Sequence, residues 1–149
     1  MTKIDVMVRK AVHGVDLELP KPATPGASGM DLLAALSTPQ TLMPGEFKTI
    51  PTGLEIAIPC GHEAQIRPRS GLAARHGVTV LNSPGTIDQD YRGEVKVILI
   101  NHGPKPFVVD HGMRIAQLVF ASIVSVKWQE SSALSITDRG SSGFGSTGL

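Results

Sequence analysis

Residues 78–101 read VTVLNSPGTIDQDYRGEVKVILIN, and this stretch decides the fold class. It contains two short apolar runs, Val78–Leu81 and Val95–Ile100, separated by a connection rich in Gly, Pro and Asp. Short runs of β-branched residues bounded by such breakers are typical of strands. The same alternation continues towards both ends of the chain, so the sequence predicts an all-β domain.

The other apolar runs bounded by Gly or Pro are predicted strands as well. They are Ile4–Val8, Val15–Leu19, Phe47–Ile50, Leu54–Ile58, Ala64–Arg67, Phe107–Val109 and Ile115–Val126. One short helix is predicted at Ser70–Gly77, with Ser70 capping its start and Gly77 ending it. This density of short strands predicts a sandwich, a barrel or a jelly roll.

Composition excludes several classes of protein. The 149 residues include 16 Gly and 11 Pro, which break helix interiors and exclude a helical bundle. Only 4 Phe, 1 Tyr and 1 Trp are present, so we expect aliphatic side chains to form the core. The 14 basic residues nearly balance 13 acidic ones, which argues against a nucleic-acid-binding surface.

The numbers and positions of cysteine and histidine indicate which cellular compartment and which metal sites to expect. Cys60 is the single cysteine, so no intrachain disulfide forms and a reducing compartment is expected. The five histidines are scattered, which makes a protein-ligated transition metal unexpected. The opening MTKIDVMVRK has no apolar core of signal-peptide length, and the longest apolar stretch is too short to span a bilayer. We therefore expect a cytoplasmic protein without membrane contact.

Two segments depart from the pattern of a small sandwich. Ile115–Val126 is apolar at successive positions, which indicates burial on both faces, either at a subunit interface or as a central core strand. Ser131–Leu149 is rich in Ser and Gly, as flexible ends are. We therefore divide the chain into a β domain at 1–130 and a C-terminal arm at 131–149. Phe144 and Arg139 in that arm also suit ring stacking and phosphate binding.

The segment RPRSGLA at 67–73 combines arginines with the start of the predicted helix. Arg69 and the free amides that follow Ser70 would favour a bound anion. A simple helix cap flanked by surface arginines explains the same residues.

The connection 81–93 is long for a hairpin, and ordered loops of this length are usually functional. Asn82 carries a donor and an acceptor that suit a base edge, and Asp88 suits a general base. Tyr91 is the only tyrosine and could pack against a sugar. Alternatively, Asn82 and Asp88 stabilise turns and Tyr91 belongs to the core.

Two further polar residues interrupt apolar sequence. Asp31 stands in the small-residue segment ASGMDLLA, and Gln117 stands inside the most apolar predicted strand. A buried amide needs hydrogen-bond partners, so Gln117 either joins a core network or faces a ligand.

Taken together, these segments resemble the homotrimeric dUTP diphosphatase (dUTPase) family, whose five ordered motifs are all matched. They are ASGMDLLA at 27–34, RPRSGLA at 67–73, LNSPGTIDQDYRGEVKVILIN at 81–101, RIAQLVF at 114–120 and RGSSGFGSTG at 139–148. One departure is Ser142, where the family usually has Gly; the added side chain stiffens the arm.

The resemblance implies a β jelly roll with one short helix, assembled as a homotrimer whose active sites each draw on three subunits. It also implies hydrolysis of dUTP to dUMP and pyrophosphate with Mg²⁺, which is held mainly by substrate phosphates and water. Such an enzyme keeps uracil out of DNA and supplies dUMP for thymidylate synthesis.

The matched motifs also imply a role for individual residues. Asp88 would activate the attacking water as the catalytic base, and Asp31 would support the arginine network. The substrate-binding positions would be Arg69, Ser70, Gly71, Asn82, Gly85, Ile87, Tyr91, Gln117, Arg139, Phe144, Gly145, Ser146 and Thr147. Among them, Asn82 would read uracil, Tyr91 would exclude a ribose 2′-hydroxyl, and Phe144 would stack on the base.

Within the same set, Arg69, Ser70, Gly71 and Gln117 would hold the triphosphate, while Arg139, Ser146 and Thr147 would close over it. Trp128 lies outside every motif, so we expect it to serve packing or an interface. Two alternatives remain: a dCTP deaminase, disfavoured by the GFGSTG ending and the DQDYRG segment, and a non-catalytic nucleotide-binding module.

Overall fold

The computed structural model describes residues 3–143, which form ten strands, one α-helix and one 3₁₀ turn at Val12–Gly14. The strands are β1 (Met7–Lys10), β2 (Met30–Leu33), β3 (Gln40–Leu42), β4 (Phe47–Ala57), β5 (His62–Arg67), β6 (Val78–Val80), β7 (Gly85–Ile87), β8 (Glu94–Asn101), β9 (Phe107–Val109) and β10 (Arg114–Ser122). The helix α1 spans Ser70–His76. The all-β prediction with one short helix is confirmed.

These strands form two four-stranded antiparallel sheets and one small two-stranded sheet. The first sheet has the order β1-β4-β8-β6, and the second has the order β2-β10-β5-β7. The pair β3-β9 makes the third. Neighbours in the second sheet are distant in sequence, so residues from four parts of the chain meet on one surface.

The core lies between the two large sheets and is aliphatic. Leu32 and Leu118 of the second sheet belong to the same buried cluster as Ile50, Val97 and Leu99 of the first. No aromatic side chain of residues 3–143 is among the buried hydrophobic ones, although Phe107 and Phe120 pack against the cluster from its edge. The expectation of an aliphatic core therefore holds for the described chain.

The helix prediction is right in position and wrong in how the helix starts. Gly77 ends α1 in the left-handed conformation (φ 68°), and its N–H donates to the carbonyl of Ala73 at 3.0 Å. At the other end Arg69 is the capping residue, no side chain caps the helix, and Ser70 is the first helical residue. The Ser70 side chain therefore stays available for other contacts.

The segment Val15–Leu19 is not a strand, contrary to prediction. The chain turns locally here, since the N–H of Leu17 donates to the carbonyl of Gly14 at 3.2 Å. Gly14 packs so closely on Gly53 that a Cβ on it would lie 2.8 Å from the Gly53 Cα. This tertiary contact fixes the turn.

The segment Ile115–Val126 is shorter as a strand than predicted. It contributes to β10, which ends at Ser122 and lies between β2 and β5, so its first half is a central core strand. Val124 and Val126 lie beyond the strand and are 86% and 65% exposed. Trp128 is exposed as well.

Other differences concern short strands and a bulge. The strands β2, β3 and β7 are not among the predicted ones, and β4 joins two predicted strands through a register shift between Pro51 and Leu54. Gly53 sits in that shift with φ at 68°, a conformation that glycine adopts without strain. Within residues 3–143, no helix is long and apolar enough to cross a membrane.

Candidate active site

The register of the second sheet brings polar residues of three strands into one row. Gln117 of β10 lies opposite Asp31 of β2 on one side and opposite Arg67 of β5 on the other. Residues opposite each other across strands point to the same face. The neighbours Ala116 and Leu118 are buried, so the face that carries Gln117 is the one turned away from the core.

Asp31 accepts hydrogen bonds from two arginines on this face. Its Oδ1 accepts from Arg69 Nε at 2.8 Å, and its Oδ2 accepts from Arg114 Nη1 at 3.4 Å. Arg69 Nη1 also donates to the carbonyl of Arg114 at 3.1 Å. The side chains of Asp31 and Arg69 are 27% and 24% exposed, so their ion pair is partly shielded from water.

Gln117 completes this group, which we call the arginine cluster (Asp31, Arg69, Arg114 and Gln117). Its Nε2 donates to the carbonyl of Pro68 at 2.9 Å, which ties β10 to the segment that leads into α1. The two N–H groups that begin α1, those of Ser70 and Gly71, donate to no backbone carbonyl of the described chain. The cluster therefore presents positive charge and free donors, a combination that suits phosphate.

Two further residues of this region are not evident from the sequence pattern. Arg114 stands inside a motif, but its link to Asp31 spans 83 positions, which a linear pattern does not reveal. Gly29 lies against Gln117, and a Cβ on Gly29 would overlap the Gln117 carboxamide oxygen. In the sequence, the feature that points to Gly29 is its place in a small-residue segment just before Asp31.

The end of β2 is fastened to the turn before β10. The N–H of Ala34 donates to the carbonyl of Met113 at 2.9 Å, and the N–H of Gly112 donates to the carbonyl of Ala34 at 2.8 Å. His111 accepts the N–H of Leu36 at Nδ1 (3.1 Å), and its Nε2 lies 2.8 Å from Asp16 Oδ2. Because Nδ1 accepts, the ring proton is on Nε2 in this arrangement.

The second group of candidate residues lies on the connection from β6 to β8. These two strands pair with each other, and the N–H of Leu81 extends the pairing by donating to Ile98. Within the connection, β7 crosses to the second sheet and pairs with β5. The long loop is therefore held at both ends and in its middle.

This connection borders a cavity of about 230 Å³, which we call the loop cavity. It is lined by Thr49, Ile66, Asn82, Gly85, Thr86, Ile87, Asp88, Tyr91, Glu94, Val95, Lys96 and Ile98. Five predicted site residues meet here, namely Asn82, Gly85, Ile87, Asp88 and Tyr91. Gly85 leaves room for Asn82, since a Cβ on Gly85 would lie 3.2 Å from Asn82 Nδ2.

Asn82 and Asp88 stand out among the polar residues of the loop cavity, since Glu94 and Lys96 of the same lining form an ion pair. Within residues 3–143, Asn82 and the Asp88 carboxylate make no side-chain hydrogen bond or ion pair. Tyr91 is 45% exposed, and its hydroxyl donates to the carbonyl of Glu94 at 2.9 Å. The alternative of turn-stabilising side chains and a core tyrosine does not describe this loop.

Within one chain, the described side chains of the two groups are not bonded to each other. No hydrogen bond or ion pair joins the arginine cluster to Asn82, Asp88 or Tyr91 in the described part of the chain. Arg139 is exposed and its Nε donates to the carbonyl of Ser142 at 3.0 Å. The predicted positions Phe144, Gly145, Ser146 and Thr147 lie outside the described residues.

Metal-binding side chains do not cluster in the described chain. No three His, Cys, Asp or Glu residues between 3 and 143 are grouped closely enough to hold an ion. The donors of the arginine cluster are cationic or N–H groups, which bind phosphate oxygens and repel a cation.

Comparison with known proteins identifies the family. The dUTPase family profile matches residues 16–148. The chain is 56% identical over 149 residues, all of both chains, to a deoxyuridine 5′-triphosphate nucleotidohydrolase of Rickettsia felis. It is 60% identical over 140 residues to the protein of that name from Rickettsia akari, covering 94% of this chain and 95% of that one.

Solved structures agree on the fold. A Staphylococcus bacteriophage 80alpha dUTPase, a G164S mutant with dUpNHpp, superimposes with a TM-score of 0.87 at 21% identity. The match covers 99% of this chain and 100% of that one. With the jelly-roll fold shared, the family profile matched across nearly the whole chain and relatives above half identity, this chain belongs to the dUTPase family and is a dUTP diphosphatase.

Proposed function

We propose that this enzyme hydrolyses dUTP to dUMP and pyrophosphate with the loop cavity as the nucleoside site and the arginine cluster as the triphosphate site. The observation that carries the proposal is the Asp88 carboxylate, which borders the loop cavity without a partner among the described residues. A general base has to be available to water and close to the substrate, and Asp88 is exposed and borders the proposed nucleoside site.

The loop cavity supplies the groups that uracil recognition requires. The Asn82 amide offers a donor and an acceptor, and neither is engaged by another described side chain. Cytosine presents an amino donor where uracil presents a carbonyl, and thymine adds a methyl group that a closed loop excludes. Gly85 and Ile87 of β7 line the same cavity and supply main-chain contacts to the base.

Tyr91 faces the sugar in this proposal. Its ring borders the cavity and is only half-exposed, while its hydroxyl is already bonded to Glu94. A fixed ring at that position leaves no room for a ribose 2′-hydroxyl. Deoxyribose is therefore selected by exclusion.

The arginine cluster binds the triphosphate. Arg69 keeps Nη2 free of described partners while Asp31 and the Arg114 carbonyl hold Nε and Nη1. Ser70 and Gly71 add the N–H groups at the start of α1, which donate to no described backbone carbonyl. Gln117 is held beside them because its Nε2 donates to the carbonyl of Pro68. Asp31 acts by orienting Arg69, without contacting the substrate.

Mg²⁺ would be held mainly by the triphosphate oxygens and water, since no described side chains cluster to ligate it. The cationic donors around Arg69 suit the phosphate oxygens of such a complex and leave the metal to the nucleotide. When bound, the ion offsets phosphate charge.

Asp88 orients a water molecule in line with the α-phosphorus and takes its proton. The water oxygen forms a bond to that phosphorus, and the bond from the same phosphorus to the oxygen bridging the α- and β-phosphates breaks. The departing group is pyrophosphate, and dUMP remains. Positioning and charge neutralisation supply most of the rate in such phosphoryl transfers.

A homotrimer would unite the two groups. In one chain no hydrogen bond or ion pair of the described residues joins them, and the apolar residues after β10 are exposed, with Val124 at 86%, Trp128 at 90% and Ile136 at 100%. Exposed apolar side chains in such number are typical of a surface that another subunit covers. We propose that one subunit supplies the arginine cluster, a second supplies the loop cavity and a third supplies the arm at 131–149.

The arm closes over the nucleotide in this arrangement. Arg139, Ser146 and Thr147 reach the phosphates and Phe144 stacks on uracil, with Gly145 allowing the close approach. Deleting 138–149 removes these groups and none of the core, so hydrolysis should fall while the trimer remains intact by light scattering. Full activity after the deletion would refute the closing role.

A pyrophosphate-release assay across nucleotides tests the proposed function. The purified full chain with Mg²⁺ should release pyrophosphate from dUTP and far less from dCTP, dTTP and UTP. Ammonia release from dCTP would instead identify a deaminase. Binding of dUTP with no product would identify a non-catalytic module, and either result would overturn the proposal.

A further inference from the structure

The ring of Tyr91 lies against the backbone of Gly93. A Cβ on Gly93 would lie 2.5 Å from Tyr91 Oη, 2.7 Å from Cζ and 3.0 Å from Cε2. Carbon atoms in favourable contact are roughly 3.5–4.0 Å apart. The phenol therefore occupies space that the side chain of any other residue at 93 would need.

Backbone conformation does not explain the glycine at this position. The glycines with positive φ in the described chain are at 45, 53, 61, 77, 112 and 140, and Gly93 is not one of them. An alanine could adopt the backbone of Gly93 without strain. The missing Cβ matters here because of the room it leaves for the ring.

The hydroxyl end of the ring is fixed to a residue that is itself anchored. Tyr91 Oη donates to the carbonyl of Glu94, the first residue of β8. The Glu94 carboxylate accepts the N–H of Gly53 at 2.8 Å and lies 2.6 Å from His13 Nε2. The acceptor for the phenol is therefore tied to β4 and to the 3₁₀ turn.

We propose that Gly93 is a positioning residue for Tyr91. The space left by its missing Cβ, which we call the seat, holds the phenol at the sugar position and so contributes to the discrimination between dUTP and UTP. This inference rests on the proposed function, in which Tyr91 faces the deoxyribose. Tyr91 is half-exposed, so the ring can swing away when the seat is filled. Loss of the seat should therefore alter specificity more than folding.

The position of the ring can be measured without any substrate. Tyr91 is the only tyrosine, so full-length protein made with 3-fluorotyrosine reports this one residue by ¹⁹F NMR. In Gly93→Ala the resonance should move towards its position in the urea-unfolded protein. The control is Gly26→Ala, since a Cβ on Gly26 meets nothing within 4 Å. An unmoved resonance in Gly93→Ala would overturn the inference.

Kinetics then test what the seat does. The ratio of kcat/KM for dUTP to kcat/KM for UTP should fall by about tenfold in Gly93→Ala, the lower end of what one excluded group contributes in a pocket. Gly26→Ala should keep the wild-type ratio, and Tyr91→Ala should lose at least as much as Gly93→Ala. A lowered ratio in Tyr91→Ala with an unchanged one in Gly93→Ala would refute the specificity role of Gly93. An unchanged ratio in Tyr91→Ala would instead refute the proposed sugar contact and leave the NMR result to judge the seat.

A double variant covers the case in which Gly93→Ala folds poorly. Once the ring is removed, Ala at 93 has no phenol to meet, so Tyr91→Ala/Gly93→Ala should melt at nearly the same temperature as Tyr91→Ala. The same substitution in the presence of the ring should lower Tm. Equal changes in the two backgrounds would show that Gly93 and the ring do not interact and would overturn the inference.

Discussion

The arginine cluster and the loop cavity differ in what already holds their polar side chains. In the cluster, Asp31 accepts from two arginines and Gln117 donates to a main-chain carbonyl. In the loop cavity, Asn82 and Asp88 have no side-chain partner among the described residues. The cluster is arranged before the substrate arrives, whereas the loop cavity leaves Asn82 and Asp88 free for it.

This difference follows from the chemistry that each region is proposed to perform. A guanidinium that binds phosphate gains from being held in one orientation, because less freedom is then lost on binding. A general base has to keep its lone pairs for water, so an ion pair would compete with its task. Removing a group from the loop cavity should therefore affect chemistry, and removing one from the cluster should affect positioning and stability.

The largest effect is expected from Asp88→Asn. The amide keeps the size of the side chain and cannot take a proton from water, so kcat should fall by about 10²–10⁴-fold. Affinity for a non-hydrolysable dUTP analogue, measured by calorimetry, should stay within a few-fold of wild type.

The matched control is Asp90→Asn, which alters a carboxylate two residues away and should leave kcat unchanged. Normal turnover in Asp88→Asn would remove this residue from the catalytic role and with it the contrast between the two regions.

A smaller effect on rate is expected from Asp31→Asn. Arg69 and Arg114 lose their shared acceptor charge, so kcat/KM for dUTP should fall between about tenfold and a hundredfold as Arg69 shifts. Stability should fall by about 1 kcal/mol in urea unfolding, since the pair is partly shielded.

Glu18→Gln is the control for that variant, because its ion pair with Lys21 is 74% exposed on both sides and contributes little. If Asp31→Asn left both kcat/KM and stability at wild-type values, the cluster would not be prearranged by Asp31.

The smallest effect is expected from Asp16→Asn, which changes the partner of His111 near the end of β2. The hydrogen bond with His111 is the main reason why the pKa of Asp16 lies below its ordinary value of 3.8. Because folding lowers the carboxyl pKa, ionised Asp16 stabilises the fold above pH 3.8. This contribution disappears as the pH falls through the folded-state pKa. Asp16→Asn should thus be slightly less stable than wild type at about pH 6, and the difference should shrink at a pH below 3.8.

Urea unfolding at the two pH values measures this difference. Asp5→Asn serves as control, since the Asp5 carboxylate makes no hydrogen bond or ion pair in the part of the chain that the structure describes. A difference between wild type and Asp16→Asn that grows as the pH falls would show that ionised Asp16 does not stabilise the fold.

Local patterns predicted the features that local forces control. Gly77 ends α1 because glycine accepts the left-handed conformation, and the run Val95–Ile100 forms a strand because β-branched residues predominate there. The association of Asn82, Asp88 and Tyr91 was also accessible, because one short connection carries all three.

Predictions failed where a distant contact decides the local conformation. Val15–Leu19 has the composition of a strand, yet the close approach of Gly14 to Gly53 turns the chain there. Ile115–Val126 is mostly apolar, yet pairing with β5 ends at Ser122 opposite His62. Neither contact leaves a signal in the segment it controls.

By itself, the sequence determined the all-β class, the short helix, the family and several candidate residues of each region, though not Arg114, because turn residues, strand formers and contiguous motifs act over a few positions. Only the tertiary structure decided that Asp31 holds Arg69 and Arg114, which are 38 and 83 positions away, and that Gly93 lies beneath the ring of Tyr91. The reason is physical: antiparallel pairing between distant strands sets which side chains meet, and the space that a missing Cβ leaves has meaning only once its neighbour is in place.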